Sequence, residues 1–207
     1  MTGQDGAHGV DTARVAAHME VHDGLKWTPV IKVEKYDDEQ TDWVIDRLGI
    51  LVPQGRHFEM TGVKPIEVLE EVGNLLVTAG LQRITNLIIG AGGQAGTNLA
   101  ARLGVGNSAT AAAVGQTDLQ AAAGSANRWF QPMDATFPTA VNGVLTWKST
   151  FATGDGNFIW NEWCVDFGAP TVTAGNTVNV PMINRAVQSL GTKVSGSWVL
   201  TATITLS

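Results

Sequence analysis

The sequence predicts a mainly β protein: an N-terminal extended arm and a helix, followed by an antiparallel β-sandwich. Three observations carry that expectation. The closing run "SWVLTATITLS" alternates apolar residues with threonines. From Leu99 onward the chain is rich in Thr, Val, Trp, Phe, Gly and Asn. Turn signals separate the strand-like runs there, with no helical pattern between them.

Residues 1–64 are polar, hold all four histidines and show only short periodic stretches between Gly, Pro and charge clusters such as "KYDDEQTDW". They read as an extended arm with one or two short helices. Alone, such a segment buries too little apolar surface to offset its ordering entropy, so it is expected to be mobile or laid against another chain.

Residues 65–90 read as the helical segment. Pro65 suits a first helical position, Glu67, Glu70 and Glu71 suit the positive end of a helix dipole, and Val68, Leu69, Val72, Leu75, Leu76 and Ala79 recur at helical spacing. Gly80 interrupts the pattern, Ile84, Leu87 and Ile88 resume it, and Gly90 ends it.

Residues 91–207 form the expected sandwich. Asp155-Gly156, inside "GVLTWKSTFATGDGNFIWNEWCVDFG", is a two-residue hairpin signal. It would set Phe151 against Trp160, Ser149 against Glu162 and Trp147 against Cys164 on one side of a ribbon. Lys148 with Trp163 and Val144 with Phe167 would share the other side. In the last strand Trp198, Leu200, Ala202, Ile204 and Leu206 face one way, and Thr201, Thr203 and Thr205 the other.

The chain has 207 residues, of which 44% are hydrophobic, enough for one sizeable core. Its net charge of −6 lies in the first part: residues 1–86 hold 8 Lys/Arg and 14 Asp/Glu, whereas the remainder holds 5 of each. Without a basic cluster, nucleic acid is an unexpected partner, and a basic protein surface fits better. Cys164 is the one cysteine, so neither an intrachain disulfide nor a thiolate cluster is expected. The start "MTGQDGAHGV" lacks the features of a signal peptide, and no apolar run approaches bilayer-spanning length, which leads to the expectation of cytoplasmic synthesis and no membrane partner.

The stretch "NLIIGAGGQAGTNLAARLGVG" places Gly90, Gly92 and Ala95 in the G-x-G-x-x-A spacing of dinucleotide-binding turns. The fingerprint needs a preceding strand and an acid about 20 residues onward. Here the preceding residues read as the end of a helix, and the first acid is Asp118. The glycines therefore read as a connector, and no cofactor is expected.

"HMEVH" spaces His18 and His22 around Glu20 as a helical metal pair would, yet no third ligand is indicated, so a solvated arm is the better reading and no metal is expected. Cys164 has no histidine after residue 57 to activate it and reads as a buried core residue. Glu162 stands mid-strand among Trp160, Trp163 and Cys164. A buried carboxylate requires a partner. Arg128 and Arg185, both in strand-like contexts, are the candidates for a structural ion pair, which is preferred to a catalytic role.

Four runs, "LGVGNSATAAAVGQTDLQ", "FQPMDATFP", "NGVLTWKSTFATGDGNFIWNEWCVDF" and "INRAVQSLGTKVSGSWVLTATITLS", resemble a β-rich domain of virion structural proteins of tailed bacteriophages. The pattern covers roughly residues 85–207, with Glu162 at its mid-strand acidic position. The earlier "YDDEQTDWV" and "GVKPIEVLEEVGNLLVTAGL" are similar to proteins of actinobacterial phages. The resemblance implies a non-enzymatic, homo-oligomeric virion protein attached to major capsid or tail proteins. Capsid decoration, docked by the arm, is preferred to a tail appendage, because no fibre repeats or coiled-coil shafts are present. A carbohydrate-binding module for a host-surface glycan is the rival, and it requires two or more of Trp129, Trp160, Trp163 and Trp198 on one open surface.

Overall fold

In a computed structural model of the chain, residues 26–168 and 182–207 are described. They form two five-stranded antiparallel sheets packed as a sandwich, as the sequence predicts. The first sheet runs, edge to edge, β2 (Glu67–Val72), β1 (Trp27–Tyr36), β10 (Ser197–Leu206), β7 (Val144–Phe151) and β6 (Thr139–Val141). The second runs β3 (Leu75–Leu76), β9 (Asn184–Thr192), β8 (Ile159–Asp166), β4 (Arg102–Gly106) and β5 (Arg128–Pro132). Between them Ile31, Val33, Trp147, Leu200 and Ile204 of the first sheet meet Leu103, Val105, Trp163, Val165 and Leu190 of the second. The β10 threonines at 201, 203 and 205 stay half-buried on the outer face, in agreement with the alternation read from the sequence.

The predicted arm over residues 1–64 is corrected for the part that is described. β1 pairs along its whole length with β10, from Trp27 opposite Leu206 to Tyr36 opposite Ser197, and is an interior strand of the first sheet. Ile31 and Val33 point into the core while Val30, Lys32 and Glu34 are half-buried outside. The pairing partner lies some 170 positions away, and no local signal announces it. Two helices follow, α1 (Asp38–Leu48) and α2 (Gly55–Thr61). Asp37 caps α1 by accepting from Gln40 N at 2.8 Å, and Gly49 closes it with φ +64°. Both helices cover the outer face of the first sheet, where Tyr36, Val44, Phe58 and Val199 form a small second core and the Tyr36 and Phe58 rings stack at 3.9 Å.

The helix predicted from Pro65 is also corrected. Residues 67–72 are an edge strand and 75–76 a short strand, so the helical segment shrinks to α3 (Thr78–Ile88). Sheet pairing overrides the helical spacing: Glu67 and Glu70 stand opposite Lys35 and Lys32, with Lys35 Nζ 3.0 Å from Glu67 Oε1, and Leu69 packs against the core. Gly80 does not interrupt α3 but lies buried within it, because a Cβ there would overlap the backbone of Ile183. Gly90, Gly92 and Gly93, all at positive φ, lead from α3 towards β4, so the run before the glycines is helical.

The ribbon predicted over residues 143–168 is replaced by a crossing between sheets, since β7 pairs with β10 and β6, whereas β8 pairs with β4 and β9. The favoured two-residue hairpin turns need positive φ at the first central position, and type I′ at both. Asp155 lacks it; Thr136 and Asn142 are the non-glycine residues that have it among those described. The two-residue hairpin is instead Asn142-Gly143, at φ +49° and +78°, between Val141 and Val144. Phe151 and Trp160 do meet, at 4.6 Å between ring centroids, but across the sandwich. A bulge between Trp160 and Glu162 shifts the alternation, so that Trp160, Trp163 and Val165 all join the central core.

Candidate functional site

Glu162 and Arg185 come together on the outer side of the second sheet, both side chains fully buried, with Arg185 Nε donating to Glu162 Oε2 at 2.6 Å. Room for the carboxylate comes from Gly106 on β4, opposite Glu162, where a Cβ would collide with Oε1. Gln120 N donates to Oε2 at 3.0 Å and Ala121 N to Oε1 at 2.7 Å. The remaining guanidinium nitrogens donate to Gln116 Oε1 at 3.0 Å and to Thr110 O at 2.8 Å. One ion pair thus holds both halves of the irregular 107–127 connection against β8 and β9. Under that connection Leu119 packs on Phe130, Cys164 and Met182.

Of the two arginines the sequence offers, Arg185 is the partner of Glu162. Arg128, also buried, pairs with Asp118 within the same connection at 2.9 Å. Burial pushes the Asp118 carboxyl above its ordinary range, and Arg128 opposes that shift. A cleft of about 640 Å³ opens beside Arg185, lined also by Val72, Asn74, Leu75, Ala111 and Gln188. Its polar groups are largely engaged by the scaffold: Gln188 Oε1 accepts from Trp163 Nε1 at 2.7 Å and Asn74 Oδ1 from Trp27 Nε1 at 2.8 Å. Asn74 Nδ2 has no hydrogen-bond partner among the described residues.

Three further polar centres had no signal strong enough to single them out in the sequence. Asp134 takes Gly55 N at 3.0 Å and both Thr150 N and Thr150 Oγ1 at 2.8 Å, which fastens the start of α2 to β7. Lys193, fully buried, donates to Ala152 O at 2.8 Å and Asn157 Oδ1 at 2.9 Å and so ties down the β7–β8 crossing; burial lowers its pKa to about 8. Asp166, also fully buried, stands opposite Arg102. Burial raises its carboxyl to about 7, and its Oδ2 and Arg102 Nε both lack hydrogen-bond partners among the described residues.

Cys164 is buried, as expected, and burial pushes its thiol well above the ordinary value. His57 on α2 is the histidine that falls among the described residues, where its Nδ1 accepts from Gln54 N at 2.9 Å. His18, Glu20 and His22 lie outside the described residues. The open aromatic surface that a glycan module requires does not form from the four tryptophans proposed for it. Trp160, Trp163 and Trp198 lie in the central core, and Trp129 is half-buried with its Nε1 donating to Gln131 Oε1 at 2.7 Å. No helix among the described residues is long and apolar enough to cross a membrane.

The exposed surface is less uniform than the interior. Residues 37–72 carry nine carboxylates and three cationic side chains, a difference equal to the net charge of the whole chain. The same stretch exposes Trp43, Leu51, Val52, Met60, Ile66, Val68 and Val72. Trp43 is 49% exposed, beside a cleft of about 370 Å³ formed with Glu39, Gln40, Val63 and Lys64. No protein-family profile, curated protein or solved structure matches this chain.

Proposed function

We propose that the protein is a non-enzymatic structural component of a tailed-phage virion that decorates the capsid by docking on other virion proteins. The observation that carries this reading is the use made of the Glu162–Arg185 pair. Both carboxylate oxygens and three guanidinium nitrogens are committed to the protein's own backbone and side chains, so the most chemically suggestive group in the chain serves as a clamp on a long connection. Acidic and exposed apolar side chains meanwhile recur along one stretch of the chain, residues 37–72, which supports a surface that meets another protein. The resemblance of residues 85–207 to phage virion domains supplies the class of assembly.

The experiment is gold labelling of purified particles of the encoding phage with antibodies against the full chain. Label spread over the capsid shell is the expected result. Label confined to the tail would replace decoration by a tail appendage, and particles without label would overturn the virion reading altogether.

A further inference from the structure

We infer that the edge of β2, which has no outer neighbour strand among the described residues, takes up an extended, basic strand of a partner protein by strand addition. This names the docking surface of the virion component proposed above and rests on that reading. β2 ends the first sheet. Gly73 N donates to Pro29 O at 3.0 Å, which places Gly73 and, by the alternation of an antiparallel ladder, Glu71, Leu69 and Glu67 in hydrogen-bonded pairs with β1. The backbone N–H and C=O groups of Val68, Glu70 and Val72 therefore turn outwards, away from the sheet. The Val72 carbonyl accepts from Gln188 Nε2 at 3.4 Å, a long contact. Five of the six β2 side chains are exposed, Leu69 being the exception.

The side chains on this edge specify the occupant. Val68, Glu70 and Val72 share one face of the strand, and Glu67, Leu69 and Glu71 the other. Among the described residues neither Glu70 nor Glu71 has an ion pair, since the β1 lysines go to Glu34 and Glu67. An incoming strand meets apolar, acidic and apolar positions on one face, and acidic, apolar and acidic positions on the other. Antiparallel to β2, the complementary order is Val-Lys-Lys-Leu-Val-Lys. A second copy of β2 is a poor occupant, because pairing would bring two sets of three carboxylates together. The exposed Trp43 and Ile66 continue the apolar surface beyond the Glu67 end, where Gln40 Nε2 donates to Lys64 O at 2.8 Å and Ile66 N to Lys35 O at 2.8 Å.

The test uses the full chain and a capped peptide of that sequence, with a peptide carrying glutamate for lysine as the control. Amide hydrogen exchange should slow at Val68, Glu70 and Val72 when the lysine peptide is added, and the glutamate peptide should bind at least about tenfold more weakly. Glu70→Pro removes one outward N–H without touching the β1 ladder, a replacement that edge strands tolerate. It should leave the melting temperature within a few degrees and abolish the protection. Glu70→Lys with Glu71→Lys should reverse the preference between the peptides. Equal binding of the two peptides, or protection elsewhere in the chain, would overturn the proposal. So would protection of β2 that rises with protein concentration in the absence of peptide, which would assign the edge to a second copy. Failure here with label still present on particles would remove the docking surface and leave the virion assignment standing.

Discussion

Replacing Glu162 by glutamine keeps the size and shape of the side chain while removing its charge. In the parent, three donors converge on two carboxylate oxygens: Arg185 Nε and Gln120 N on Oε2, Ala121 N on Oε1. A glutamine supplies one oxygen and one NH₂. Turned to satisfy Arg185 and Gln120, it sets its NH₂ against Ala121 N–H; turned the other way, it sets it against two donors. Neither orientation is satisfied, and the Arg185 charge stays buried without a counter-ion. Breaking a buried pair by removing one partner costs about 3–5 kcal/mol. Arg185 retains its bonds to Gln116 and Thr110, which places the expected loss at the lower end, about 3 kcal/mol.

Urea unfolding of the full chain, followed by tryptophan fluorescence, measures that loss as a lower midpoint at unchanged slope. Amide exchange at Gln120 and Ala121 should accelerate more than exchange in the central strands, because the substitution releases the 107–127 connection before it unfolds the sandwich. A variant as stable as the parent, with those two amides still protected, would refute the clamp. Pairing Glu162→Gln with Arg185→Met should cost less than the sum of the two single substitutions, since the uncompensated charge is gone.

Asp166→Asn should flatten the pH dependence of stability between about pH 4 and 7. Burial raises this carboxyl from 3.8 to about 7 in the folded protein, so its contribution is fully present below pH 4 and is lost as pH rises through 7, a swing of about 4 kcal/mol at 1.36 per pH unit; urea midpoints over a pH series read it. Lys193→Met should lose about 1–3 kcal/mol at pH 7 by stranding Ala152 O and Asn157 Oδ1. It should also remove the rise in stability expected of the parent from pH 8 to 10.5, where the unfolded lysine holds its proton and the folded one does not. Gly80→Ala should destabilise by roughly 1–3 kcal/mol, because its methyl group meets the Ile183 backbone, whereas an alanine at an open helical site would stabilise; thermal unfolding distinguishes the two.

The sandwich was legible where a strand carries its own signal. In β10, apolar–threonine alternation fixes both the strand and its inward face without reference to any neighbour. β1 has comparable alternation, but its charged outer face and distant partner made it read as part of an arm. At 67–72 the valines, leucine and glutamates fit a helix and a strand equally well, and pairing with β1, where Lys35 meets Glu67, decides between them, information that a local window lacks. The two-residue hairpin lies at Asn142-Gly143, flanked directly by Val141 and Val144, and not at Asp155-Gly156, which Gly154 and Asn157 flank, a difference already present in the sequence. At the candidate site, the need of Glu162 for an arginine was readable from burial chemistry, whereas the choice of Arg185 over Arg128 depends on the register of β8 with β9. Asp134, Asp166 and Lys193 are single charged residues in loops or at strand ends, and only the fold shows what each of them fastens.

The charges divide into two populations that respond differently to salt. Glu162, Arg185 and Lys193 are fully buried, and their interactions are short and closed to solvent, so mobile ions screen them little. Glu70 and Glu71 are exposed on the sheet edge, where the Debye length of about 10 Å at 0.1 M ionic strength shrinks to about 3 Å at 1 M. Raising salt from 0.05 M to 0.5 M should therefore weaken binding of the lysine peptide several-fold while leaving Gln120 and Ala121 amide protection intact. Scaffold and docking surface would then have been separated without any mutation. If the protection falls in step with peptide binding, the connection held by Glu162 is part of the docking surface, and the division between buried clamp and exposed edge is wrong.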